Sequence, residues 1–269
     1  EGRWEPAGGM WVEADCNLIS GESLVRQLLY GTRFFENEFG NHSSYLWLPD
    51  VFGYSAALPQ ILKQSEIDTF ITTKISWNDQ NMLPYDTFEW RGIDGSSVLT
   101  HFITTSAPGE HAYTYNGMTD ATAVRGVWDA YRNKELNTEL LISYGYGDGG
   151  GGPNRDMIEQ GRRIGRVPGM PQVRMDRVDE FCKRLHRTVK ENRRHAYIPV
   201  WDGELYLEFH RGTYTSQAYN KKTNRRMEFL LRNAEEAVAR AMLPGKEIFM
   251  AKGEMEKGWK IVICPKILQ

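Results

Sequence analysis

Three aspartates in the sequence, Asp15, Asp50 and Asp148, each follow a short, mostly apolar segment. Apolar runs of this length are too short for a helix and are typical of buried strands. The carboxyl ends of the strands in an α/β barrel lie on one face, where reactive side chains collect. We therefore expect these acids on one face, where two of them could form a carboxylate pair. Glycoside hydrolysis uses such a pair, in which one acid protonates the leaving oxygen and the other attacks the sugar or activates water.

Asp50 also has a simpler interpretation, because Pro49 and Gly53 bracket a turn at this position. A predicted helix over residues 56–64 follows the turn, so the carboxylate could cap that helix or accept hydrogen bonds from turn amides. On this segment alone the structural role is favoured. The presence of two further acids at equivalent positions shifts the balance towards catalysis.

Asp148 lies in a glycine-rich segment, residues 145–153, in which six of nine residues are glycine. Such a loop allows the backbone to approach a ligand closely and gives the acid room to meet a substrate. A phosphate-binding loop is disfavoured, because the segment has no GKS or GKT and does not match GxGxxG. A plain flexible loop remains the alternative.

Further candidates for ligand binding follow other predicted strands. Lys74 and Trp77 could hold a substrate hydroxyl and stack against a sugar ring, or they could simply cover the rim of the barrel. Residues 201–215 contain Glu208, His210 and Arg211 together with two tyrosines. That composition suits a hydroxyl-rich ligand, although a solvated charged turn explains it nearly as well.

The cysteines and the isolated histidines argue against disulfides and histidine-rich metal sites. Cys16, Cys182 and Cys264 are odd in number, widely spaced and without a CxxC pair, which indicates a reducing compartment and hence a cytoplasmic protein. His101 and His111 have no second metal ligand at a usual spacing, so structural roles are favoured for both.

The composition excludes two classes of partner. A formal charge of −2, from 33 basic and 35 acidic residues, provides no basic surface for nucleic acid. No apolar run approaches the roughly 20 residues that span a bilayer, so we expect a soluble protein that does not enter membranes. The 8 Trp and 13 Tyr residues suit a ligand with both polar and apolar faces, such as a sugar, but also occur in ordinary cores.

Strand and helix signals alternate through the first part of the chain. This alternation predicts a parallel sheet, closed or nearly closed into a barrel. A hairpin near residues 87–103 is interpreted as an excursion between βα units. The predicted strands are 10–14, 45–49, 69–73, 87–91, 98–103, 140–144 and 197–200, and the helices are one that starts after the N-cap Ser20, 56–64, 119–135, 156–164 and 176–190.

The sequence pattern changes near residue 215, where a long charged helix is predicted. Its apolar residues fall on one face, and a second helix is predicted over 254–264, so we expect the start of a helical bundle. The predicted domains are therefore a partial βα-barrel over 1–212 and a bundle over 213–269. The apolar face of the long helix comprises Met227, Leu230, Leu231, Ala234 and Val238.

Several motifs resemble the α-mannosidases of glycoside hydrolase family 38, in the form common in bacteria and in cytosolic eukaryotic enzymes. The resemblance extends from residue 1 to near Lys260, with the motifs in the family's order. The motifs are Trp47-Leu48-Pro49-Asp50-Val51-Phe52-Gly53-Tyr54-Ser55-Ala56-Ala57-Leu58-Pro59-Gln60, Thr72-Thr73-Lys74-Ile75-Ser76-Trp77-Asn78, Gly145-Tyr146-Gly147-Asp148-Gly149-Gly150-Gly151-Gly152-Pro153 and Glu208-Phe209-His210-Arg211-Gly212-Thr213-Tyr214-Thr215.

The resemblance implies a retaining, exo-acting enzyme that removes terminal α-linked mannose from oligosaccharides or glycans with the help of one zinc ion. It implies an incomplete seven-stranded βα barrel followed by the start of a helical bundle, and it is compatible with a homodimer at full length. Asp50 matches the family's nucleophile and zinc ligand, and Asp148 matches its acid/base. The expected substrate-binding residues are Lys74, Trp77, Asp15 and His210.

The sequence also departs from the family pattern. A His and Asp zinc motif of the first barrel strand and a zinc histidine after the second bundle helix are not found, so Asp50 is the one expected zinc ligand present. One carboxylate cannot make a tight zinc site, so we expect an internal piece of a longer enzyme with little activity alone. The alternatives are another carbohydrate hydrolase or deacetylase on a related barrel, and a non-catalytic, sugar-binding or inert barrel remnant.

Overall fold

The computed structural model describes residues 4–106, 112–242 and 252–264, so the predicted role of His111 lies outside the described residues. The helices are α1 (Gly21–Phe39), α2 (Leu58–Gln64), α3 (Ala121–Ala130), α4 (Arg155–Ile164), α5 (Val178–Asn192), α6 (Ala218–Met242) and α7 (Lys252–Ile263). The strands are β1 (Tyr45–Trp47), β2 (Gly53–Tyr54), β3 (Thr69–Thr72), β4 (Thr87–Arg91), β5 (Ser97–Phe102), β6 (Val200–Asp202) and β7 (Leu205–Tyr206).

The main sheet has the strand order β1-β3-β5-β4-β6 and is mostly parallel. The pairs β1/β3, β3/β5 and β4/β6 are parallel, and β4/β5 is antiparallel. Strands β2 and β7 form a separate antiparallel pair. This mixed α/β fold confirms the predicted parallel character. In the described residues, the end strands β1 and β6 do not pair with each other, so the closed barrel is not confirmed.

The core lies on both faces of this sheet. Neighbouring residues of β3 alternate between the faces, as strand geometry requires. Phe70 packs with Tyr54, Phe88 and Trp90 in one buried cluster, whereas Ile71 packs in a second cluster against helix α5. Every residue of β3 is buried, which explains why an unbroken apolar and threonine run marks this strand in the sequence.

The hairpin prediction was wrong about its place in the fold. β5 pairs in parallel with β3, in the register Thr69↔Leu99 to Thr72↔Phe102, and β4 pairs in parallel with β6. The hairpin therefore supplies two inner strands of the main sheet. Periodicity identified the turn and both strands, but it contains no information on which neighbour each strand joins.

The segment predicted as a strand over 10–14 has no strand partner among the residues that the structure describes. Its backbone bonds instead to Gln27 of helix α1: Trp11 N–H donates to the Gln27 carbonyl at 2.8 Å, and Val12 N–H donates to Gln27 Oε1 at 3.0 Å. The helix thus satisfies donors that a neighbouring strand would otherwise bind. An isolated bridge from Cys16 to Tyr54 follows this segment.

The predicted strand over 140–144 is likewise reduced to an isolated bridge between Tyr144 and Gly117. The helix predicted over 119–135 ends early, at Ala130. Asn133 explains that end, because its Oδ1 accepts hydrogen bonds from the backbone N–H groups of Asp86 and Thr87 at 2.8 and 3.0 Å. A continued helix would withdraw this side chain from the start of β4.

Helix α6 contacts helix α1 through charged and polar side chains. Glu228 is the only buried residue among those described in α6. Its Oε1 accepts hydrogen bonds from Ser23 Oγ at 2.5 Å and Ser20 N–H at 3.1 Å, and its Oε2 accepts one from Arg225 Nη1 at 2.5 Å. Met227 and Leu230, on the predicted apolar face, are exposed, so the helical bundle is not confirmed.

A second polar contact joins α1, α6 and α7. Arg26 Nη2 lies 2.6 Å from Glu235 Oε2, and its guanidinium lies 4.3 Å from the ring centre of Trp259. Trp259 is fully buried, and its indole N–H donates to Glu235 Oε1 at 2.9 Å. Across the described ranges, the helices lack the length and apolar content needed to cross a membrane.

Candidate active site

Asp50 is fixed at the carboxyl end of β1 by hydrogen bonds to two backbone groups, the Pro49 carbonyl and its own N–H. The preceding Pro49 carbonyl accepts hydrogen bonds from Thr73 Oγ1 at 2.8 Å and from the backbone N–H groups of Thr73 and Lys74 at 3.3 and 3.2 Å. The Asp50 N–H donates to Glu13 Oε1 at 3.0 Å. The ends of β1 and β3 are therefore bonded together, with the Asp50 carboxylate beyond them.

Lys74 supplies the positive charge nearest to Asp50. Its Nζ lies 2.6 Å from Asp50 Oδ1, and the lysine side chain is 7% exposed. The ammonium also lies 3.9 Å from the ring centre of Trp77 and 5.3 Å from that of Phe52. Two aromatic faces and one carboxylate thus surround the Lys74 ammonium, which is largely removed from water.

The hydroxyl of Tyr115 joins the two aspartates that the sequence predicts to act together. It lies 2.7 Å from Asp148 Oδ1 and 3.2 Å from Asp50 Oδ2. Two oxygens that contact one hydroxyl are separated by no more than two hydrogen-bond lengths. That limit includes the roughly 5 to 5.5 Å between the carboxyl groups of a retaining glycosidase.

The Tyr115 hydroxyl offers one proton to two carboxylate oxygens. A phenol has a single proton and can donate fully to one carboxylate at a time. The two carboxylate oxygens therefore compete for one donor. Burial, followed by the hydrogen bond to Asp148 and the charge of Asp50, raises the pKa of Tyr115 far above its usual range, so the phenol stays protonated.

Asp148 adopts a left-handed backbone conformation, with φ of 54°, and is exposed. The glycine before it has a steric role. A Cβ at Gly147 would lie 3.0 Å from Asn116 Cβ and 3.2 Å from Tyr115 Cε2, which is closer than side chains normally approach. Gly147 therefore allows the loop to pack against the loop that contains Tyr115, and this contact brings Asp148 within reach of the phenol.

His210 and Trp77 lie beside the Lys74–Asp50 pair. The His210 ring centre is 4.4 Å from that of Phe52 and 5.9 Å from that of Trp77. Burial, with a smaller contribution from the Lys74 charge, lowers the pKa of His210, so the ring is neutral at pH 7. The indole N–H of Trp77 donates to the Tyr113 carbonyl at 3.0 Å, which fixes that ring.

The structure does not join Asp15 to this group. Asp15 is 3% exposed, and its carboxylate accepts hydrogen bonds from the backbone N–H groups of Asn17 and Leu18 at 3.3 and 2.6 Å. In the described parts of the chain, no hydrogen bond or ion pair links it to Asp50 or Asp148. These contacts indicate a turn-stabilising role, and substrate binding by Asp15 stays a prediction.

The chain matches the family description "Glycosyl hydrolases family 38 N-terminal domain" over residues 1–204. It belongs to glycosyl hydrolase family 38. Residues 208–265 match the "Alpha mannosidase middle domain". The chain is 47% identical over 238 residues to Alpha-mannosidase G of Dictyostelium discoideum. This alignment covers 87% of this chain and 20% of that protein. It is 42% identical over 266 residues to Alpha-mannosidase of Saccharomyces cerevisiae, which covers 96% of this chain and 24% of that protein.

The chain spans less than a third of the length of these family 38 relatives. This chain also covers less than a third of the length of a similar solved structure, an alpha-mannosidase from Enterococcus faecalis. The match covers 96% of this chain and 29% of that structure's chain. Its TM-score is 0.70, and the two sequences are 18% identical. At that identity the match supports the fold alone. A second Enterococcus faecalis structure, a family 38 glycosyl hydrolase, matches with a TM-score of 0.58.

The described residues offer few ligands for the zinc ion that the family resemblance implies. Among residues 4–106, 112–242 and 252–264, no three His, Cys, Asp or Glu side chains lie close enough to hold a metal ion. Asp50 Oδ1 is buried and accepts no hydrogen bond, but its neighbour is the ammonium of Lys74. Zinc sites in proteins use three or four ligands, so the described residues do not fit a zinc ion by themselves.

Two residues that complete this site are not predicted from the sequence. Tyr115 lies in a loop, and Glu13 binds the Asp50 backbone from outside any regular strand. The sequence has one relevant signal, the two tyrosines at 113 and 115 among polar residues. That signal indicates a loop rich in hydroxyl groups but does not identify the carboxylates that the loop meets.

Proposed function

We propose that this chain provides the acid pair of a retaining α-mannosidase, which hydrolyses terminal α-linked mannose in oligosaccharides or glycans. The main supporting observation is the Tyr115 hydroxyl between Asp50 Oδ2 and Asp148 Oδ1. The names of the family 38 relatives, which are α-mannosidases, support the choice of sugar.

In the first step, the Asp50 carboxylate attacks the anomeric carbon, and Asp148 donates its proton to the leaving glycosidic oxygen. The C–O bond to the aglycone breaks, and an ester forms between the sugar and Asp50. In the second step, Asp148 accepts a proton from water, which attacks the same carbon and releases Asp50. Two inversions at this carbon give net retention of its configuration.

The neighbouring side chains prepare the two acids for different roles. Lys74 Nζ, at 2.6 Å from Asp50 Oδ1, places a positive charge beside the proposed nucleophile. Tyr115 can donate its proton to Asp50 while it accepts one from Asp148, so a single proton placed on Asp148 satisfies both contacts. The rings of Phe52, Trp77 and His210 form an apolar wall beside the pair, against which a sugar face can pack.

Zinc remains a proposal for the whole protein. Asp50 would be one ligand, and the other ligands would come from residues outside those described. A bound zinc ion would hold sugar hydroxyls and help to distort the ring. The three thiols are free, and Cys16 and Cys182 are buried, which is compatible with the proposed cytoplasmic location.

The test is covalent trapping in the protein that contains this chain. A fluorinated mannosyl fluoride slows breakdown of the ester, so peptide mass spectrometry should find the mannosyl label on Asp50. In parallel, proton NMR of an aryl α-mannoside reaction should show the α-anomer of mannose as the first product.

Release of the β-anomer, or a label on another residue, would contradict the assignment and favour a different carbohydrate hydrolase. A protein that binds mannose without turnover and without metal would favour the non-catalytic alternative. Metal analysis and a mannose titration identify that result, and turnover that returns when zinc is added would identify instead an enzyme that has merely lost its zinc.

A further inference from the structure

Glu208 makes an unusually complete set of hydrogen bonds for a residue near the surface. Its Oε2 accepts the backbone N–H groups of Asp79 and Gln80 at 2.7 and 2.8 Å, and its Oε1 accepts the N–H of Asn81 at 2.7 Å. The Asn81 side-chain amide donates to Oε1 at 2.9 Å. Successive N–H groups that converge in this way form an anion-binding concavity, which here holds a carboxylate of the same chain.

A second set of bonds runs between the same two segments. Asn78, which is 4% exposed, accepts the Glu208 backbone N–H on its Oδ1 at 2.8 Å. Its Nδ2 donates to the Tyr206 carbonyl at 2.8 Å and to the Asn81 carbonyl at 3.1 Å. Together these bonds form what we call the Glu208–Asn78 clasp, in which each residue binds the backbone of the other segment.

The clasp joins two segments that each supply a side chain to the candidate active site. Trp77 immediately precedes Asn78, and its ring lies over the Lys74 ammonium that pairs with Asp50. His210 follows Glu208 by two residues, and its ring lies beside those of Trp77 and Phe52. The clasp therefore connects the segment that contains Trp77 to the segment that contains His210.

The His210 segment has a second anchor on its other side. The hydroxyl of Tyr214 donates to the Phe52 carbonyl at 2.7 Å, and Asn17 Nδ2 donates to the same hydroxyl at 2.7 Å. His210 lies between this anchor and the clasp, in a left-handed conformation with φ of 63°. A non-glycine residue rarely adopts that conformation unless its surroundings impose it.

We propose that Glu208 is a positioning residue, whose carboxylate holds the 78–81 loop so that Trp77 and His210 form the aromatic wall of the sugar site. Glu208 acts through these two rings and does not itself contact the substrate. The catalytic part of this proposal rests on the proposed glycosidase function, whereas the ring positions do not.

The first experiment uses the 269-residue chain and requires no turnover. The ring protons of His210, identified by their loss in His210→Gln, should have chemical shifts displaced by the neighbouring rings. In Glu208→Gln the side-chain NH₂ would face backbone N–H groups, which are also donors. The displacement of the His210 chemical shifts should therefore decrease, while the thermal unfolding midpoint stays close to that of the parent chain. Glu204→Gln, a matched change in the exposed neighbourhood, should leave the ring shifts unchanged.

The second experiment tests rescue by a free carboxylate. Removal of the side chain in Glu208→Ala leaves the N–H groups of residues 79–81 unoccupied, so formate or acetate should restore the His210 shifts, and chloride at equal ionic strength should not. In the protein that contains this chain, Glu208→Ala should lower kcat/KM for an aryl α-mannoside by between about 10-fold and 10²-fold, and formate should recover part of that loss.

Unchanged His210 shifts in both Glu208 variants would overturn the proposal. It would also be overturned if the shifts move only together with global unfolding, because Glu208 would then act on the fold as a whole. If the protein has no mannosidase activity at all, the proposed function fails, while the ring shifts and their rescue by formate still decide the positioning role.

Discussion

Two carboxylates in this protein, Asp50 and Glu228, contact hydroxyl groups and a basic side chain, but they are satisfied to different degrees. Both oxygens of Glu228 accept hydrogen bonds, and the residue is 4% exposed. Asp50 has one oxygen paired only with Lys74 and another that shares the proton of Tyr115 with Asp148. Complete hydrogen bonding fixes a structure, whereas incomplete bonding leaves an oxygen free to form a new bond with a substrate.

The largest expected effect separates these two roles directly. Asp50→Asn should lower turnover of an aryl α-mannoside by about 10⁴-fold or more, because the amide cannot attack the anomeric carbon. Thermal unfolding should change little. Asp156→Asn, an exposed change in the first turn of α4, is the control and should retain full activity. Substantial turnover by Asp50→Asn would remove Asp50 from the role of nucleophile.

The next effect concerns the shared proton. Tyr115→Phe keeps the ring but removes the hydroxyl between Asp50 and Asp148, so kcat should fall by about 10²-fold to 10³-fold. Its pH profile should also change shape, because the two acids would no longer be linked through one hydroxyl. Tyr146→Phe, at a tyrosine that is 51% exposed in the same region, should behave like the parent. Equal kinetics for both variants would show that the phenol only fills space.

The structural carboxylate should behave in the opposite way. Glu228→Gln leaves one donor among Ser20, Ser23 and Arg225 without a matching acceptor, and should lower the free energy of unfolding by about 1–3 kcal/mol. Urea unfolding monitored by circular dichroism measures this loss. Glu236→Gln, an exposed change on α6, should remain within about 0.5 kcal/mol of the parent. A stability loss for Glu228→Gln no larger than for its control would contradict the importance of this contact.

The smallest effect is a pH dependence of stability at Asp15. Burial raises the folded-state pKa of this acid above its ordinary value. The folded state then binds a proton more tightly than the unfolded state, so this group's contribution to stability decreases as pH rises between the ordinary and the raised pKa. Compared with Asp15→Asn, the parent chain should therefore gain stability as the pH falls through that window.

Chemical unfolding of both chains at several pH values measures the difference. A difference that is constant with pH, or that grows in the opposite direction, would contradict the burial of Asp15. Sugar binding that is weakened by Asp15→Asn at neutral pH would restore the predicted substrate contact.

Much of the fold was predictable because local chemistry determines it. The helix after Ser20 begins as predicted, with Ser20 Oγ accepting the Ser23 N–H at 3.1 Å. The buried run of β3 and the hairpin turn were also recognisable from residue types. The place of the hairpin in the sheet was not, since pairing depends on distant neighbours. The strand predicted over residues 10–14 was wrong for the same reason, because the carboxamide and carbonyl of Gln27 take the place of a neighbouring strand.

The candidate site also contains residues that were predicted from the sequence and one that was not. Asp50 and Asp148 were found because they follow apolar segments and lie in specific motifs. Tyr115 was missed because its importance depends on a position between two acids, 65 and 33 residues away in the chain. The chemistry of a hydroxyl is visible in sequence, but the number of acceptors that share it is a property of the folded chain.

The glycine run around Asp148 has a consequence for natural variation and for protein engineering. Gly152 faces open space, whereas a methyl group at Gly147 would meet the Tyr115 ring and the Asn116 side chain. Substitutions should therefore be tolerated at one end of the run and selected against near the acid. A mutant library of this loop should therefore retain substitutions at Gly152 and lose them at Gly147, although the stretch looks uniform in sequence.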